Sequence, residues 1–130
     1  MRTKQQETGE WGEKLAERYL VREKRMRVLD RRWRKGHGEL DLIMRNGLVM
    51  VFVEVRVRTG AGHPLQTYRS IARGKWLVLR RTAIAYLRQS PWRPVSVRFD
   101  VIGIQRTHGG ELKTLTHWEN VRTFGRNFRF

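Results

Sequence analysis

The run Leu48-Val49-Met50-Val51-Phe52-Val53-Glu54-Val55-Arg56-Val57 constrains this chain more than any other segment. β-Branched and aromatic side chains fit a pleated surface better than a helix. A strand apolar at nearly every position suits a place covered on both faces. Just before it, Arg45-Asn46-Gly47 carries the Asn-Gly pair that favours a tight hairpin. Glu39-Leu40-Asp41-Leu42-Ile43-Met44 is therefore expected to be the antiparallel neighbour of a buried central strand.

The rest of the chain supplies what such a strand requires. From Glu7 to Arg22, Trp11, Leu15, Tyr19 and Leu20 recur at helical spacing; Ile71, Trp76, Leu79, Ala83, Tyr86 and Leu87 trace a second helix that Ser90-Pro91 ends. Met26 to Trp33 alternates like an edge strand, and Lys35-Gly36-His37-Gly38 turns the chain after it. Glycines and a proline between Arg58 and Pro64 predict a loop, Val95–Ile102 a further strand, and Gly109-Gly110 a hairpin into a last strand from Leu112 to Trp118. The order of helix, three strands, helix and two strands predicts the α/β class, a mixed sheet flanked by helices. At 130 residues it is expected to be one domain, 1–130, with a flexible N-terminus over 1–6 and a basic tail over 119–130.

Charge points to the partner. The chain has 28 Lys+Arg against 12 Asp+Glu, a net +16, which is far more than solubility requires and suits a polyanion. Arg31, Arg32, Arg34 and Lys35 form one cluster, and Arg69, Arg73, Lys75, Arg80 and Arg81 another, so folding is expected to align them along a phosphate-tracking surface. There is no cysteine, which excludes disulfides and cysteine-based zinc sites. No apolar stretch approaches a signal or membrane segment, so a cytoplasmic protein with no membrane partner is expected. The four histidines, His37, His63, His108 and His117, lack ligand spacing.

Strand alternation puts Glu39 and Asp41 on one side of the second strand and Glu54, Arg56 and Arg58 on one side of the third, with Val51, Val53, Val55 and Val57 opposite. Glu54 is then a carboxylate inside an apolar strand, costly unless a metal or a cation compensates it. Two carboxylates converging near a backbone carbonyl make a hard oxygen site suited to Mg²⁺ or Mn²⁺. A cross-strand ion pair of Glu54 with Arg56 on a solvated sheet face is the other reading of the same residues. Trp11, Trp76, Phe52 and Phe99 are expected in the core. Trp33 and Trp92, among arginines, are candidates for stacking on bases.

Gly38-Glu39-Leu40-Asp41-Leu42-Ile43, a short hairpin, then Val51-Phe52-Val53-Glu54-Val55-Arg56-Val57-Arg58 resembles the signature of the YraN-like family of small bacterial proteins. That family is similar to archaeal Holliday-junction resolvases and to the PD-(D/E)xK nucleases. Gly12-Glu13 with Ala16, Tyr19 and Leu20 matches it too, as do Lys75, Ala85-Tyr86-Leu87 and Arg98-Phe99-Asp100-Val101, so the resemblance spans residues 9–118. It implies a restriction-endonuclease-like fold and an Mg²⁺- or Mn²⁺-dependent endodeoxyribonuclease acting on branched or single-stranded DNA, with a homodimer expected because the resolvases are dimers. By position it implies Asp41 and Glu54 as metal ligands, the Val55 carbonyl as a third, and Glu13 as a carboxylate approaching the metal, with Glu39 behind them. Arg34, Lys35, Arg58, Arg73 and Lys75 are the expected nucleic-acid contacts.

One position departs from the pattern: where the nucleases have Glu-x-Lys, this chain has Glu54-Val55-Arg56. Arginine stays protonated, so Arg56 cannot be a general base, although its fork can clamp a phosphate. Lys75 is expected either to supply the missing amine or to contact phosphate. An inactive nucleic-acid-binding module on the same fold is the alternative reading. A ribosome-associated RNA-binding protein is a third, disfavoured because paired buried carboxylates add nothing to phosphate binding.

Overall fold

The computed structural model describes residues 1–121. Helix α1 (Lys4–Arg22) precedes strands β1 (Arg27–Lys35), β2 (Gly38–Asn46) and β3 (Val49–Thr59); helices α2 (Pro64–Arg69) and α3 (Arg73–Gln89) follow, then β4 (Ser96–Arg106) and β5 (Leu112–Val121). The five strands form one sheet in chain order, antiparallel except for the parallel pair β3–β4. A parallel pair needs a long crossover, which α2 and α3 supply. On one face Ala16 and Leu20 of α1 pack against Leu42, Met44, Val51, Val53, Ile102 and Ile104. On the other, Leu79, Ala83 and Leu87 of α3 pack against Leu40, Ile43, Met50, Phe52 and Phe99. β3 divides its side chains between these two cores, which is why its sequence is apolar without a break from Val49 to Val53. The fold is the expected α/β sheet flanked by helices, and none of the described helices is long and apolar enough to cross a membrane.

Four details differ from the reading of the sequence. α1 begins at Lys4 because Thr3 and Gln6 form a capping box, so Lys4, Gln5 and Gln6, expected in a flexible N-terminus, are its first turn. α2 follows directly on the loop; its cap is His63, whose ring accepts from the Leu65 N–H at 3.1 Å, and histidine is not among the usual capping signals. Residues 119–121 of the expected basic tail belong to β5, and 122–130 lie outside the described residues. Trp33 packs edge-on against Tyr86 at 5.2 Å, and Trp92 carries the Arg45 guanidinium over its ring at 4.1 Å, so both belong to the fold's own packing.

Two close approaches position the site. A Cβ on Gly12 would lie 2.3 Å from Val57 Cγ2, so α1 crosses β3 where only a glycine fits, and Glu13 is carried next to the sheet. β1 is irregular: its register with β2 slips between Val28 and Asp30, and Arg32 has a φ of 48°. That left-handed conformation costs a residue with a Cβ about 1 kcal/mol or more.

Candidate active site

The β2–β3 ladder runs from the hairpin to Leu42↔Val53 and stops there, one position short of opposing Asp41 and Glu54. β2 continues along β1, where Trp33 opposes Leu40 and Arg34 opposes Glu39, so the sheet forks at the two acids. Leu40 lies in the α3-side core and Leu42 in the α1-side core, so the simple alternation expected of β2 does not carry through Asp41. At the fork the Val55 N–H, which would otherwise bond to β2 backbone, donates to Asp41 Oδ2 at 2.8 Å. In an extended strand the N–H and C=O of one residue leave on the same edge. The Val55 carbonyl is therefore directed to the fork as well.

Glu54 is only 3 % exposed. Arg56 Nε stands 3.3 Å and Lys75 Nζ 3.8 Å from its Oε2, so two cations offset the buried charge. Arg56 Nε is itself buried without a hydrogen-bond partner, which makes its contact with Glu54 ionic and poorly aligned. Asp41 is pushed well above the ordinary carboxylate range, first by burial, then by the charge of Glu54 and a hydrogen bond between the two carboxyls; the Val55 N–H pulls it the other way. A carboxyl pushed upward by burial and by a second carboxyl, beside a carbonyl, is a donor set that a divalent cation fits, because such a cation favours both carboxyls in the ionised form. Asp41, Glu54 and the Val55 carbonyl would hold it. Among the described residues no three acidic or imidazole side chains gather as a ready metal cage.

The upward shift of the Asp41 carboxyl has a consequence for stability. Between the unfolded and folded values the native protein holds one proton more than the unfolded chain, so stability falls as pH rises through that window. Asp41→Asn removes the penalty. Its Tm is expected to exceed the wild-type value by several degrees at pH 8, the two converging towards pH 4, in thermal melts without divalent metal. A Tm below wild type at both pH values would show that the pair is not strained.

The structure brings Asp41, Glu54, Val55, Arg56 and Lys75 together. Glu13 is bonded to β1: Arg32 Nε donates to its Oε1 at 2.8 Å, while Arg32 Nη1 donates to Glu10 Oε1 at 2.7 Å. Burial pushes Glu13 upward against that bond, with the charges of Asp41 and Glu39 adding to the rise. Glu39 accepts from Arg34 Nε at 3.1 Å. The expected basic cluster of the first strand is thus largely spent on the protein's own acids, Arg31 on Glu17, Arg32 on Glu10 and Glu13, Arg34 on Glu39. Lys35, Arg58 and Arg73 are exposed. Arg2, Gln6, Glu10, Glu13, Arg32 and Glu39 line a cleft of about 400 Å³ between α1 and the fork. Arg32 was expected to track phosphate, and its pairing with Glu10 and Glu13 was not foreseen. The only trace of that pairing was the spacing of Glu10, Glu13 and Glu17 along one side of the helix.

Fold and site together define an α/β protein with a buried glutamate and a half-buried aspartate at a fork in a mixed sheet, framed by two cations. The chain belongs to the family described as Uncharacterised protein family UPF0102, which it matches over residues 12–104. Among relatives, it is 42% identical over 101 residues to a UPF0102 protein of Rhodococcus opacus (78% of this chain, 84% of the relative). It is 42% identical over 113 residues to one of Pelotomaculum thermopropionicum (87% and 92%). With one of Beutenbergia cavernae the identity is 39% over 119 residues (90% and 94%). The family match contains α1 from Gly12 onward, the fork and Lys75.

Proposed function

We propose that this protein is a metal-dependent endonuclease that hydrolyses phosphodiester bonds in structured or branched DNA. The observation that carries the reading is the opposition of Asp41 and Glu54 where β2 and β3 part, with Arg56 and Lys75 against Glu54. When bound, Mg²⁺ or Mn²⁺ supplies neutralisation of phosphate charge and a more acidic water. Asp41 gives up its proton on loading, so loading should strengthen as pH rises. Arg56 cannot take a proton; its free fork, tethered beside Glu54 only through Nε, suits two phosphate oxygens and the charge that builds on them. Lys75 offers a compact ammonium from the other side.

The alternative, a nucleic-acid-binding module without turnover, draws on the same contact. Arg56 stands where the nuclease pattern places lysine, and together with Lys75 it already balances Glu54. The deciding experiment incubates wild type with four-way-junction, single-stranded and duplex DNA at several Mg²⁺ and Mn²⁺ concentrations. Cleavage that chelator abolishes supports the nuclease; DNA binding with no cleavage under any of these conditions supports the module. On the nuclease reading, Arg56→Ala should lose roughly a hundredfold in single-turnover rate but only a few-fold in binding, because a guanidinium is worth most as transition-state charge develops. Equal losses in rate and binding would reduce Arg56 to a ground-state phosphate contact.

A further inference from the structure

The acids of this chain are distributed unevenly: between Val55 and Phe99 there is no Asp or Glu. α3 lies inside that stretch and carries Arg73, Lys75, Arg80, Arg81 and Arg88 without one acid. On the α1 side the strand arginines are paired with helix glutamates, whereas α3 offers none to the elements that meet it.

The β1–β2 turn meets α3 directly. Gly38 is seated so closely on the helix that a Cβ there would lie 1.8 Å from Thr82 Oγ1, and Thr82 is itself fixed by donating to the Val78 carbonyl at 2.7 Å. Gly36 takes a φ of 60° at the turn, with open space where a Cβ would stand. The result is a cleft of about 410 Å³ with a floor of glycine, Val78, Thr82 and Ala85, and with Lys35, His37 and Arg81 on its rim. All three rim residues are exposed, no carboxylate lines the cleft, and among the described residues none of the three side chains has an ion-pair or hydrogen-bonding partner.

We propose that this cleft is a phosphate-binding seat for the backbone of DNA, formed by Lys35, His37 and Arg81. The inference rests on the reading of the protein as DNA-binding, and adds where the strand runs. Lys35 and Arg81, gathered without a carboxylate, repel each other, and an anion bridging them removes that cost. The seat is rigid, because a glycine-on-threonine contact fixes the turn, so little ordering opposes binding. It also leads to the acids: Lys75, which reaches Glu54, lies on the same helix as Arg81, about 9 Å along its axis at 1.5 Å per residue. A backbone seated in the cleft is thereby directed along α3 to the fork.

The test measures binding of a fluorescently labelled DNA duplex by anisotropy across a salt series with chelator present, separately from cleavage with Mg²⁺ or Mn²⁺. The double variant Lys35→Ala/Arg81→Ala is compared with Arg18→Ala/Arg22→Ala, an equal loss of charge on the exposed side of α1. The cleft variant should bind about tenfold more weakly, with a log K against log salt slope shallower by about 2, since each phosphate contact contributes about 0.9. The α1 variant should keep the wild-type slope. Equal slopes in both variants, or no DNA binding by wild type, would overturn the proposal. If the cleft variant binds like wild type while wild type cleaves, the seat is wrong and the nuclease stands. If the cleft variant loses binding while wild type never cleaves, the seat stands and the nuclease falls.

Discussion

If the proposed nuclease reading holds, Glu54→Gln should lose roughly a hundredfold or more in metal-dependent cleavage while binding DNA as well as wild type or better. Glutamine keeps the shape of the buried side chain and removes its charge, so the fork should survive. Asp41, freed from a charged neighbour, then ionises more readily and becomes the remaining anion for Lys75 and Arg56. One carboxylate in place of two holds a divalent ion weakly, and the rate falls with it. Binding moves the other way, because a negative charge next to the phosphate has gone. Single-turnover cleavage and anisotropy separate the two effects. Wild-type cleavage by Glu54→Gln would place the reacting phosphate somewhere other than the fork.

The second large effect concerns stability and lies away from the fork. Asp100 is fully buried on β4, where Arg98 Nε donates to its Oδ1 at 3.1 Å, the Asn120 N–H donates to the same oxygen at 2.9 Å, and His117 Nε2 stands 2.7 Å from Oδ2. His117 Nδ1 faces the Tyr19 hydroxyl of α1 at 3.0 Å. With Nε2–H donating to Asp100 and Nδ1 accepting from Tyr19, every polar atom of the ring is satisfied. Burial raises the Tyr19 hydroxyl above its ordinary value, which favours its role as the donor. Asp100→Ala leaves Arg98, His117 and the backbone of Asn120, which sits at a φ of 53°, without their shared acceptor. Removal of one partner from a buried ion pair costs about 3–5 kcal/mol. Urea unfolding should show a loss of that size, with β5 the first element to exchange its amides. A loss below about 1 kcal/mol would mean that the network contributes no more than a single surface bond.

The sequence by itself determined the five strands and the two long helices, though not α2 or the change of face in β2 at Asp41. β3 is apolar on both faces and so had to be central, Asn46-Gly47 fixed the hairpin, and the hairpin fixed Asp41 opposite Glu54. These are local signals, carried by side-chain period and turn chemistry within a few residues. The uneven spread of acids was legible too, since it requires only counting.

Tertiary structure decided which groups those residues meet. That the sheet forks at the acids depends on β2 following β1, and that Arg31 and Arg32 are neutralised by helix acids depends on α1 crossing β3 at Gly12. The partners of Arg32 lie 19 and 22 residues away, on another element, at a backbone angle for which an arginine gives no local signal. His117 looked isolated in sequence because its partners, Asp100 and Tyr19, lie on β4 and α1, 17 and 98 residues off. Charge pairing acts through space over a few ångströms, and which charges come that close is fixed by the packing of helices on the sheet; for that reason the same arginine run reads as a phosphate track in the sequence and as a set of internal ion pairs in the fold.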